Sequence, residues 1–130
     1  MGLLKKQLLT LLVSTLMLIA APSVMAGKIE KATTQEVSEA IVETIRLSEE
    51  ALAAVKNGQE KDQILTLLKE TKQSSKRIES NVVDRLRSKA NSRVTKARAA
   101  IRKGDTATAE TLLTEAVAIF KEVQVKHKAF

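Results

Sequence analysis

Cysteine, tryptophan and tyrosine are absent from all 130 residues, phenylalanine occurs twice, and there is one histidine and one proline. Each gap removes a class of chemistry. Without cysteine there is no disulfide, no thiolate nucleophile, no covalent haem and no cysteine-based zinc site. The one histidine, His127, supplies a single ligand where a transition-metal site takes three or four, and it reads as an exposed tail residue. Gly58 and Gly104 stand alone, so no glycine-rich loop can cradle a phosphate. So few aromatics leave no stacking platform for nucleobases. No nucleophile stands beside a recognisable base, and the chain reads as non-enzymatic and cofactor-free.

The first 26 residues follow the three-part pattern of a secretory signal peptide. Lys5 and Lys6 give the positive start, Leu8 to Ala21 the apolar run, and Val24-Met25-Ala26 the small residues before a cleavage point. That run is shorter than the roughly 20 residues a membrane-spanning helix needs, and Pro22 follows it. A periplasmic or secreted location is therefore expected for residues 27–130, with no transmembrane segment left after cleavage. All three methionines and the proline fall in the leader. With Lys5 and Lys6 gone, 20 basic residues face 15 acidic ones, a net of +5. An aliphatic core of Ala, Val, Ile and Leu must hold the fold, and about 100 residues suffice to form one.

What is present is helix. Thr33 and Glu36 have capping-box spacing, and Val37, Ile41, Ile45, Ser48, Leu52 and Val55 recur at helical steps up to Asn57-Gly58. A second helix starts near Gln59 to Asp62 and turns Ile64, Leu67, Leu68, Thr71, Ser75 and Ile78 inward. A third uses Val83, Leu86, Ala90, Val94, Ala97 and Ile101 and stops at Lys103-Gly104. Asp105 can cap a fourth, with Ala109, Leu112, Leu113, Ala116, Phe120 and Val123 inside.

A repeat organises these helices. Ala51 to Gly58 matches Ala97 to Gly104, and Leu67-Leu68 matches Leu112-Leu113. The pattern predicts an all-α, antiparallel four-helix bundle made of two helix-turn-helix repeats, hairpin 1 over about 33–79 and hairpin 2 over about 81–126. Between the hairpins a break at Glu79 to Asn81, with Ser80-Asn81 as cap, competes with fusion of helices two and three into one rod. A fused rod would favour an extended or domain-swapped homodimer.

The densest local signal lies in the third helix. Arg85, Arg87, Lys89, Arg93, Lys96, Arg98, Arg102 and Lys103 occur in a stretch without an acid. On a helical wheel Arg85, Lys89, Lys96 and Lys103 gather opposite the apolar stripe, Arg87, Arg98 and Arg102 line one flank, and Arg93 lines the other. Such a field attracts an anionic macromolecule or envelope surface. Export argues against nucleic acid. A structural account competes: the first helix carries Glu36, Glu39, Glu43, Glu49 and Glu50, and an acidic helix beside a basic one would cancel the field internally. Glu36, Glu39 and Glu43 also share a face that could ligate a hard cation, with His127 as a further candidate ligand.

Glu39-Ala40-Ile41, Ser48-Glu49-Glu50-Ala51, the turns at Gly58 and Gly104, and the paired Leu67-Leu68 and Leu112-Leu113 resemble the small metal-binding protein family. The resemblance covers most of residues 27–130 and implies an exported bundle of helical hairpins that sequesters metal. In that family the metal is bound by histidines along the helices, which this chain lacks, so no ligand carries over. Three functional classes follow: an accessory protein that binds an anionic partner, a metal-sequestering bundle, and a structural bundle that self-associates.

Overall fold

Thr33 starts the first helix in the way its spacing to Glu36 predicts. Its Oγ1 accepts from Glu36 N at 3.1 Å, and its own N–H donates to Glu36 Oε1 at 3.3 Å, so two otherwise orphaned donors are satisfied. The computed structural model describes residues 33–129; the expected leader, residues 1–26 with its cleavage point at Ala26, lies outside them. Among the described residues there are four helices: α1 Thr34–Lys56, α2 Lys61–Ser75, α3 Asp84–Arg102 and α4 Thr106–Lys128. None of them is long and apolar enough to cross a membrane.

The two hairpins share one turn device. Gly58 and Gly104 adopt φ of 67° and 82°, a left-handed region closed to most side chains. At the first turn Gln59 N donates to Ala54 O at 3.0 Å and Gly58 N to Val55 O at 3.2 Å. Asp105 N to Ala100 O at 2.9 Å and Gly104 N to Ile101 O at 3.0 Å repeat this at the second. Both are Schellman closures, which satisfy carbonyls that a helix end leaves bare. A Cβ at either glycine would meet no atom within 4 Å, so the constraint is backbone conformation and not space.

The turns reverse the chain each time, so successive helices are antiparallel. The α1 helix packs on α2 and α4, α3 packs on the same two, and no Cα of one diagonal helix comes within 8 Å of the other. The α3–α4 interface is the most extensive and the α2–α3 seam the sparsest. The result is the expected four-helix bundle. Its core is small-grained: Ala40, Ala51, Ala90, Ala97, Ala109 and Ala116 are fully buried, which lets the helices approach closely. Phe120, Ile41, Leu68, Ile78 and Leu113 fill the remaining volume. The repeat is respected residue for residue, with Ala51 and Ala97, and Leu68 and Leu113, equally inaccessible.

The inward face of α2 is partly hydroxyl. Thr71, Ser74 and Ser75 are buried there, opposite Thr44 and Ser48 of α1. Thr44 Oγ1 donates to Ala40 O at 2.7 Å and lies 2.8 Å from Ser74 Oγ, which pins α1 to α2. Thr71 bonds the Leu67 carbonyl and Ser48 the Ile45 carbonyl. Hydrogen-bonded hydroxyls can be buried at small cost, which explains how a thinly apolar helix keeps its place.

The chain breaks between α2 and α3, as expected, but over a longer stretch than Glu79 to Asn81. The α2 helix ends at Ser75, α3 begins at Asp84, and the N-cap is Val83 with no side-chain bond; Ser80-Asn81 does not cap. Burial supplies the reason. Ile78 and Val83 both reach the core while Val82 is 44% exposed, a combination that a continuous helix would not give.

Asp105 caps α4 by accepting from Thr108 N at 3.1 Å. Hydrogen bonds from Thr108, aided by the nearby Lys103, hold its carboxyl below the usual carboxylate range. A lowered folded value means stabilisation that is present above the unfolded value and is lost as pH falls through the folded one. Asn keeps an acceptor at the cap but does not titrate. Thermal melts of Asp105→Asn at successively lower pH, through the carboxylate range, are expected to show a shallower acid decline than the parent's. Superimposable declines would contradict this role.

Candidate anion-binding face

The cations of α3 divide by where the helix turns them. Arg85, Lys89, Lys96, Arg102 and Lys103 are exposed, whereas Arg87, Arg93 and Arg98 are half-buried on the flanks. Arg93 Nε donates to Glu115 Oε1 of α4 at 2.8 Å, which fixes that flank against α4. Arg87 pairs with Asp84 one turn earlier. Arg85, Lys89, Lys96, Arg98 and Arg102 have no acidic partner among the described residues.

The acidic α1 does not supply the missing partners. It lies diagonally across the bundle from α3, and among the described residues no ion pair joins the two helices. The α1 carboxylates are engaged elsewhere. Arg46 bridges Glu43 and Glu50 along α1 itself, and Glu49 Oε2 lies 3.2 Å from Lys121 Nζ of α4. The hydrogen bond from Arg46 holds the Glu43 carboxyl below its usual range, with a smaller attraction from Arg77. Reciprocally, Glu43 raises the Arg46 guanidinium.

The candidate metal ligands are also occupied singly. Glu36 serves the capping box, Glu39 accepts from Gln35 Nε2 at 3.3 Å, and Glu43 belongs to Arg46. His127 is not an exposed tail residue: α4 runs on through Lys128, and His127 Nε2 sits half-buried 3.2 Å from Ser38 Oγ of α1. Among the described residues no three His, Asp or Glu side chains gather into a group that could hold a metal ion.

Reading the sequence missed the cations that α2 adds beside α3. Lys61 Nζ donates to Arg102 O at 2.9 Å, where a lysine satisfies a bare carbonyl at the end of α3. Lys72 lies further along the same helix, and Lys76 is its C-cap. They escape notice in the sequence because Glu70 and Asp62 interrupt the α2 charges, and only the fold removes those acids from the seam. Comparison with known proteins adds no relative: no family model, curated protein or solved structure matches the chain.

Proposed function

We propose that this chain is an exported, non-enzymatic accessory protein that binds an anionic partner through α3. One observation carries the reading: the basic helix lies diagonally from the acidic one, and five of its cations lack an acidic partner among the described residues. A field left open to solvent concentrates polyanions at the surface and accelerates their capture. The leader pattern before Ala26 supports action outside the cytoplasm, where phosphate- and sulfate-bearing envelope polymers are the anions in reach.

Charge reversal tests this. The triple variant Arg85→Glu/Lys89→Glu/Lys96→Glu is expected to elute from an immobilised polyphosphate column at markedly lower salt than the parent. Equal retention of the two proteins would remove the outer face of α3 from the binding surface.

A further inference from the structure

Four buried side-chain polar atoms have no hydrogen-bond partner among the described residues: Ser75 Oγ, Arg87 Nε, Asn91 Oδ1 and Arg98 Nε. The three on α3 fall on one seam. Arg87, Asn91 and Arg98 follow one another at steps of four and seven, so they form one stripe on α3, and Arg102 extends it. The opposite flank of α3 is tied to α4 through Arg93. Because α3 has only α2 and α4 as neighbours, the stripe lies against α2. Ser75 is one step round α2 from Ser74, whose hydroxyl meets Thr44 of α1, and that step turns Ser75 into the core beside Leu68 and Thr71.

The register brings further cations to the same place. From the bond between Lys61 and Arg102, equal steps along the antiparallel helices set Lys72 level with Asn91 and Lys76 level with Arg87. The seam is thus rimmed by Lys61, Lys72 and Lys76 from one hairpin and by Arg87, Arg98 and Arg102 from the other, with Asp84 offsetting Arg87. Like charges facing across a seam repel, in agreement with its being the sparsest of the four interfaces. Native structures rarely leave buried polar atoms unpaired, and a guanidinium Nε held out of water interacts strongly with an anion.

We infer that a linear phosphate- or sulfate-bearing chain lies along the α2–α3 seam and is gripped by cations of both hairpins. This deepens the proposed function and rests on it. Arg87 to Arg102 spans about 22 Å of helix at ~1.5 Å per residue, which suits repeated charge rather than a single phosphate group. A polynucleotide would call for aromatic side chains on which bases stack, and the one phenylalanine among the described residues, Phe120, is in the core. A lipid surface would call for apolar side chains to insert, and the exposed large apolar residues, Val42, Val82 and Val125, all lie off this stripe.

The test uses long-chain inorganic polyphosphate and the whole protein, in calorimetric titrations at low salt. Two pairs remove the same charge: Lys72→Gln/Lys76→Gln in the seam, and Lys89→Gln/Lys96→Gln on the outer face of α3. Glutamine keeps helix propensity, and circular dichroism verifies that both variants fold. The seam pair is expected to lose about tenfold more affinity than the outer pair, because direct contacts cost more than a share of the general field. Polyphosphate is also expected to raise the melting temperature of the outer pair more than that of the seam pair. Equal losses, or a larger loss in the outer pair, overturn the seam while leaving α3 as the binding helix. Absence of polyphosphate binding by the parent overturns the proposed function itself. Tighter binding to vesicles containing anionic lipid than to polyphosphate overturns the polymer in favour of a lipid surface.

Discussion

Phe120→Ala is expected to cost about 3–5 kcal/mol, the range for truncating a buried phenylalanine. Phe120 is the largest fully buried side chain, and the other buried apolar residues are all Ala, Val, Ile or Leu. Small neighbours fill space by backbone proximity and have no spare atoms to swing into a void. The cavity would therefore stay open, which places the loss toward the upper end of that range. A domain of this size has roughly 5–15 kcal/mol of stability in all, so the variant is left marginal. The melting temperature is expected to fall by on the order of 15–30 °C. Val125→Ala serves as control, since Val125 is 71% exposed. A denaturant titration showing under about 1 kcal/mol of loss for Phe120→Ala would mean that α4 does not seal the bundle.

The second large effect concerns salt. On the proposed function, a bound polyanion releases the counterions condensed on it, so the association constant is expected to fall steeply with ionic strength. About six seam cations engaged with a single-stranded polymer imply a loss of roughly 10²–10³-fold between 50 and 200 mM salt. The α1 carboxylates do not pair with these cations, because they are committed to Arg46, to Lys121 and to the helix cap. Fluorescence titrations of labelled polyphosphate across that interval measure the slope. A change of less than about threefold would mean that charge does not carry the interaction.

Features decided within a few residues of the chain are legible in the sequence. The Thr33–Glu36 box, the Asp105 cap and the two Schellman glycines depend on local backbone geometry, and the residues that satisfy it are restricted. The apolar periodicity and the internal repeat carry the bundle for the same reason. Features set by long-range packing are not legible. The break before α3 lengthens because Ile78 and Val83 both seek the core. His127 finds Ser38, 89 positions away in sequence, only after α4 lies against α1. The fate of the basic helix is a matter of corners. An acidic and a basic segment look complementary on paper, yet with short turns the helices go round in order, and the first and third end on opposite corners. The Lys72 and Lys76 contribution likewise emerges only from register.

The absence of cysteine makes the arrangement directly measurable, since any cysteine introduced is unique. Spin labels at Glu49→Cys/Lys121→Cys report neighbouring helices, and labels at Glu49→Cys/Lys89→Cys report the diagonal. Adjacent axes in such bundles lie about 8–10 Å apart, so a diagonal is longer by roughly 4 Å before the labels' own reach is added. The expected result is a clearly longer distance for the α1–α3 pair than for the α1–α4 pair. Equal distances, or a shorter α1–α3 one, would set the acidic helix beside the basic one and contradict an open anion-binding face.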